Sequence, residues 1–221
     1  MPKFPEPPPP ERLARVPADV RALPAGTRLW RVYFRGGVFP STWDAWRGFG
    51  PSARGRFDHH LLPPRVQERA VYYAAGDLTT CLAEVFQEKR VLNLDRGEPW
   101  VVAFDTARPL RLLDLTGRWP TAAGASMAIS SGVRARARRW SRAVYGAYPD
   151  LDGLWYPSSI HANQPSALLY ERARDALPAA PAFHRALADP AIRLPVLNAA
   201  RRLNYAIARR WADGAREPGP A

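Results

Sequence analysis

The sequence predicts an α+β fold, and three observations predict it. Short runs with period-two alternation recur along the chain, stretches with helical periodicity fall between them in no regular order, and no internal repeat links them. A doubly wound parallel sheet would alternate strand and helix strictly, which this chain does not. At 221 residues it has the length of one large domain or two small ones. Three sections are expected: a proline-rich flexible arm over 1–24, a folded domain over 25–180, and a helical extension over 181–221 that packs on that domain and ends in a short flexible tail.

Met1-Pro2-Lys3-Phe4-Pro5-Glu6 runs into four prolines, a composition that favours an extended, poorly ordered arm. Pro24-Ala25-Gly26 closes it. Leu29 to Phe34 then alternates as a strand, with Trp30, Val32 and Phe34 on one face and Leu29, Arg31 and Tyr33 on the other. An arginine in such a strand either faces solvent at a sheet edge or projects its planar fork into a cleft. Gly36-Gly37 ends the strand, and Ser41 is placed to cap a helical turn holding Trp43 and Trp46.

A glycine-rich loop from Gly48 to Gly55 leads to Arg56, followed by His59 and His60. Adjacent histidines seldom converge on one metal and no third ligand has a recognisable spacing, so both are read as loop polar groups and no metal is expected. Val71-Tyr72-Tyr73-Ala74 reads as a strand. Asp77 is a natural N-cap for a helix over 78–88, whose stripe of Leu78, Leu82, Val85 and Phe86 leaves Glu84 pointing elsewhere, to solvent or to a cleft. The single cysteine, Cys81, excludes a disulfide framework and is read as a small apolar helix residue.

Strands follow at 100–104 and 110–115, then a helix over 132–146, then short strands at 154–156 and 167–170. The first of these last two ends at Pro157-Ser158-Ser159. A C-terminal helix is expected over 197–212, with Leu203, Ile207 and Trp211 on one face and Gly214 as its stop.

The net charge of +12 favours an acidic or polyanionic partner. Its distribution counts against a dedicated nucleic-acid site, because arginines 134, 136, 138, 139 and 142 share a segment in which Val133, Ala137, Trp140 and Val144 recur at helical spacing, and read as its wet face. No apolar run approaches the roughly 20 residues that span a bilayer, and the N-terminus lacks the apolar core of a secretory signal, so a cytoplasmic protein with no membrane contact is expected.

Taken in order, Leu29-Trp30-Arg31, Gly55-Arg56-Phe57, Val71-Tyr72-Tyr73-Ala74 and Leu82-Ala83-Glu84-Val85 resemble the RES-domain family. So do Leu112-Leu113-Asp114-Leu115-Thr116, the run from Asp152 to Ser159, and Ala167-Leu168-Leu169. The resemblance covers about residues 27–172. It implies mixed sheets flanked by helices, as in ADP-ribosyltransferases, and the toxin half of a bacterial toxin–antitoxin pair. The implied activity is cleavage of the nicotinamide–ribose bond of NAD, with NAD as substrate and no cofactor, and water, phosphate or a protein as acceptor.

By the same resemblance Glu84, Arg31 and Ser158 are the catalytic residues, and Arg56, Tyr73 and Tyr33 bind substrate. Which of Tyr73 and Tyr33 stacks on nicotinamide stays open, because Val32 stands where some members carry an aromatic after the first arginine. The implied partner is an antitoxin of the Xre helix-turn-helix type, through which any nucleic-acid contact would run; a homodimer or a toxin–antitoxin hetero-oligomer is the implied assembly. The alternatives are an ADP-ribosyltransferase acting on a cellular protein and a non-catalytic basic module that binds nucleic acid.

Overall fold

A computed structural model describes residues 3–208. The strands are β1 (Val20–Leu23), β2 (Arg28–Phe34), β3 (Arg47–Gly50), β4 (Arg65–Ala75), β5 (Val91–Asn93), β6 (Pro99–Asp105), β7 (Leu110–Asp114), β8 (Gly153–Pro157), β9 (Pro165–Tyr170), β10 (Phe183–Ala186) and β11 (Ala206–Ala208). The helices are α1 (Pro10–Leu13), α2 (Leu78–Phe86), α3 (Trp119–Ala122), α4 (Ala128–Ser131), α5 (Arg134–Ala147) and α6 (Arg193–Leu203). Nine strands make one mixed sheet in the order β1-β7-β8-β9-β4-β2-β6-β10, with β3 added beside β4, while β5 and β11 form a small parallel pair. The fold is α+β, as the irregular order of strand and helix predicts.

Within the large sheet β7 and β8 alone run parallel, and the chain between them carries α3, α4 and α5, the crossover a parallel pair requires. Helix α5 packs over one face of the β7-β8-β9-β4 half through Trp140, Val144 and Ala137, against Leu113, Leu154, Leu168 and Tyr170. On the other half, α2 and α6 enclose Val32, Leu82, Val101 and Val196. Leu29, Tyr72, Phe104, Leu112 and Leu169 fill a third cluster with Trp43 and Trp46 beside it. The predicted two faces of β2 are seen in these clusters, Trp30 and Val32 joining one and Leu29 the other.

The two halves meet where β2 and β4 share a single registered pair, Trp30 with Ala75. Running away from that pair, β2 continues to Phe34 and β4 back to Arg65 without further pairing to each other. Strand β2 therefore lies inside the sheet, between β4 and β6, and is not an edge strand. The gap that opens beside it is the site.

Several expectations are corrected. The proline-rich segment is no loose arm: Phe4 and Leu13 are buried, β1 pairs with β7, and Trp140 Nε1 donates to the Pro5 carbonyl at 2.9 Å. Its Phe4 and its Glu6 find partners on α5 that composition cannot show. The Ser41 segment is a turn, and the loop read from Gly48 begins instead inside strand β3, Arg47–Gly50. Strand β4 starts at Arg65, six residues ahead of the run from Val71 read as a strand. The chain beyond 180 is not wholly helical, since β10 completes the sheet against β6. The last described helix ends at Asn204, which takes a left-handed backbone (φ 53°), and Ile207 lies in β11 beside β5. Trp211 and Gly214 lie outside the described residues. No helix among the described residues is long and apolar enough to cross a membrane.

Candidate active site

Asp77 caps α2 as predicted, accepting the Thr80 amide at 2.8 Å, and so fixes the start of the helix that carries Glu84. The inward stripe of α2 buries Cys81 and Leu82. Glu84 falls on a different side and faces a cleft of about 1110 Å³ in the gap between β2 and β4. That is just above the usual range for small-ligand pockets, about 300–1,000 Å³. Its other walls are the turn at Ser41–Trp46, the loop at Ser52–Arg56, Ser130, Arg134 and the end of β8.

Strand β8 brings Ser158 to the same place. Its approach to β9 is close enough that a Cβ on Gly153 would sit 2.0 Å from the Leu168 carbonyl oxygen, so only glycine fits there. Ser158 Oγ donates to Glu84 Oε1 at 2.6 Å and accepts the Ile160 and His161 amides at 3.2 and 3.0 Å. Ser158 is 1% exposed and stands behind the carboxylate, with Pro157 and Ser159 forming the cleft wall. Its proton is committed to Glu84, and its lone pairs are held by the main chain. Gln87 adds a second restraint, donating to the Glu84 main-chain oxygen at 2.7 Å, and accepts from Arg134 Nη2 at 3.0 Å.

Arg31 and Arg56 both line the cleft. Arg31 lies 4.0 Å over the Tyr72 ring and donates to the Ala45 carbonyl at 3.1 Å, while its buried Nε has no partner among the described residues. Arg56 Nη1 donates to the Gly132 carbonyl at 2.6 Å. Burial and then the neighbouring Arg134 hold the Arg56 guanidinium below its ordinary value, and Glu84 opposes them in part.

Of the two candidate tyrosines, Tyr73 lines the cleft and Tyr33 does not. The Tyr33 hydroxyl meets His184 Nε2 of β10 at 2.6 Å, on the far side of β6. Tyr73 donates to Asp58 Oδ1 at 2.9 Å and accepts the Phe57 amide at 3.1 Å, so its hydroxyl is spoken for and its half-buried ring is what the cleft meets. Burial and the Asp58 carboxylate push that hydroxyl well above its ordinary pKa, which keeps it a donor. Glu84, Ser158, Arg31, Arg56 and Tyr73 are thus brought to one place, and Tyr33 is not.

Sequence reasoning missed the group that holds this wall together. Asp58 is fully buried, accepts from Arg47 Nη2 and the Ser52 amide, each at 2.7 Å, and receives Tyr73. Burial works against its charge, but these donors outweigh it and keep its pKa low. The only available signal was its place directly after Arg56-Phe57. His59 and His60, read as loop groups, are buried as well, His59 against Glu171 at 3.0 Å and His60 against the Arg47 carbonyl at 3.2 Å.

The α5 arginines are half-buried and bonded to the protein's own chain, not a freely solvated face. Arg136 and Arg139 pair with Glu6, Arg138 bonds the Ser52, Ala53 and Gly55 carbonyls, Arg142 reaches the His60 carbonyl, and Arg134 binds Gln87.

No curated protein sequence matches this chain. A chain of a solved structure described as the crystal structure of the M.tuberculosis MbcT-MbcA toxin-antitoxin complex is similar to it in fold, with a TM-score of 0.54 over 79% of this chain and 90% of that one, at 15% identity. The family profile described as RES domain matches residues 28–195, from the first residue of β2 into α6, which takes in every cleft-lining side chain named above. By that match over well over half of its length, the chain belongs to the RES domain family.

Proposed function

We propose that this protein is the toxin of a bacterial toxin–antitoxin pair and that it cleaves the nicotinamide–ribose bond of NAD, depleting the dinucleotide and arresting growth. The observation that carries the reading is the Glu84 carboxylate held at 2.6 Å by Ser158 inside a large cleft that also presents Arg31 and Arg56. RES membership and the likeness in fold to a chain from a toxin–antitoxin complex support the toxin assignment.

The chemistry suits those groups. When the bond breaks, its electron pair leaves with the nicotinamide nitrogen and cancels the charge on that ring. Positive charge passes to the ribose, and water or phosphate then adds to the sugar carbon and loses a proton to solvent. A carboxylate fixed in advance beside the ribose stabilises that developing charge without having to reorganise. Glu84 is the one carboxylate of the cleft among the described residues, and Ser158 at 2.6 Å and Gln87 at 3.4 Å hold its two oxygens. The ring of Tyr73 offers an apolar wall for a flat base. A basic nucleic-acid module loses its main support, because the arginines of α5 are tied to the protein's own chain.

Purified protein incubated with NAD is expected to release free nicotinamide, and Glu84→Gln to slow that release by about 100-fold or more, the scale on which one preorganised electrostatic group acts. Intact NAD after long incubation with folded protein refutes the reading. Repeating the assay with and without phosphate and identifying the sugar product separates hydrolysis from phosphorolysis.

A further inference from the structure

Among the described residues, six arginines and one carboxylate line the cleft. Four of the six are accounted for within the protein. Arg47 is paired with Asp58 and Arg54 with Glu88, while Arg31 lies on Tyr72 and Arg35 on Trp100. Arg56 and Arg134 have neither an ion-pair partner nor a ring among the described residues. Their hydrogen bonds go to neutral oxygens, of Gly132 and Gln87.

The start of α5 adds to this surplus. Its first turn has no acidic residue and carries Arg134 and Arg136, the wrong sign for the positive end of a helix dipole. Val133, the N-cap, makes no side-chain cap, and while the Arg136 amide donates to the Val133 carbonyl at 3.0 Å, the Arg134 and Ala135 amides have no acceptor within the helix. One turn earlier Ser130, 4% exposed and lining the cleft, holds a hydroxyl with no partner among the described residues. Each of these is unfavourable in an empty site and favourable beside an anion.

We infer that the N-terminal end of α5 is the subsite for a diphosphate, bound by Arg56, Arg134, Ser130 and the uncapped amides of the first turn. Two unpaired guanidinium groups match the two negative charges of a bridging diphosphate, and the planar forks suit its oxygens. The inference rests on the dinucleotide reading of the cleft and extends it by naming where the bridge lies. Arg31, already engaged with Tyr72 and Ala45, is left to the nucleoside side of the ligand.

Calorimetric titration with ADP-ribose, inorganic pyrophosphate and adenosine tests it without any need for turnover. Arg134→Met is expected to weaken ADP-ribose and pyrophosphate by about tenfold or more and Ser130→Ala by about threefold, with adenosine unchanged. Arg136→Met, whose parent side chain pairs with Glu6 away from the cleft, is expected to leave all three unchanged. Should Arg134→Met fail to fold, Arg134→Lys and Ser130→Ala carry the test.

Wild-type affinity for pyrophosphate retained in these variants, or absent from the wild type, overturns the inference. So does phosphate that accelerates NAD cleavage without competing with it while pyrophosphate has no effect, since the site would then hold the acceptor. Pyrophosphate bound at Arg134 in a protein that leaves NAD intact refutes the proposed function and spares the subsite. NAD cleavage whose KM ignores Arg134→Met does the reverse.

Discussion

Trp30 and Ala75 form the single registered pair that joins β2 to β4, and the cleft opens where the two strands part beyond it. Cys81 is buried near that apex, in one cluster with Val32 of β2 and Ala75 of β4. Burial pushes its thiol up to about 12. In the native protein at pH 8, a thiol reagent is expected to label Cys81 at least about 100-fold more slowly than in denaturant. Rapid native labelling would mean that the apex opens freely.

Ser158 touches the Glu84 carboxylate and does not itself line the cleft, so in the proposed reaction its effect runs through Glu84. Ser158→Ala is expected to lower kcat about tenfold with little change in KM, a smaller loss than Glu84→Gln causes. It also leaves the Ile160 and His161 amides without their acceptor, costing about 1–2 kcal/mol in urea unfolding. A large rise in KM at constant kcat would instead make Ser158 a direct substrate contact.

Acid should unfold the protein partly through Glu171. Burial opposes its charge, but hydrogen bonds from His59, Tyr145 and the Ala70 amide outweigh burial and hold its pKa to about 2, against an ordinary 4.5. A carboxyl with a depressed folded-state pKa stabilises fully above its unfolded value and loses that contribution as pH falls through the folded one. Stability is therefore expected to drop by on the order of 3 kcal/mol between about pH 4.5 and pH 2 from this group. Glu171→Gln should flatten that part of a stability-against-pH curve measured by denaturant unfolding. An unchanged slope would remove Glu171 from the account.

His59 shares that acid sensitivity for a different reason. Burial lowers its pKa, so the folded protein holds it neutral and the unfolded chain takes up the proton first as pH falls below about 6.5. His59→Gln is expected to reduce the stability lost between pH 7 and pH 5, read by the same unfolding series.

The N-terminal segment should behave as part of the core. Phe4 is 6% exposed and packs beside Gly132 and Arg136, while Glu6 bonds Arg139 at 2.6 Å. Phe4→Ala is expected to cost about 3 kcal/mol. Removal of residues 1–8 should lower the melting temperature and raise tryptophan accessibility at Trp140. A truncated protein as stable as the full chain would return the segment to the role of a loose arm.

What could be read from the sequence was what local chemistry decides. Asp77 as a cap, the alternation of β2 and most of the α2 stripe depend on near neighbours and are found as expected, with Leu78, Leu82 and Phe86 packed inward, whereas Val85 is exposed in the cleft wall beside Glu84. What could not be read depends on partners far along the chain. The Phe4 segment looked loose because α5 is about 130 residues away, and Asp58 looked like a loop residue because Arg47 and Tyr73 become its neighbours only when β3 and β4 pair. Ile207 fits a helical stripe as well as a strand, and the open edge of β5 decided for the strand. Within the site, the outward direction of Glu84 was legible and its engagement by Ser158 was not.

Glu84 and Ser158 are 74 residues apart. At roughly 5–20 residues per second, synthesis leaves the carboxylate without its partner for about 4–15 s after Glu84 is made. The nascent chain therefore passes through a long interval in which α2 can form but its acid cannot be set. For a protein whose proposed activity harms the cell that makes it, late completion of that pair keeps the first two-thirds of synthesis free of the assembled carboxylate.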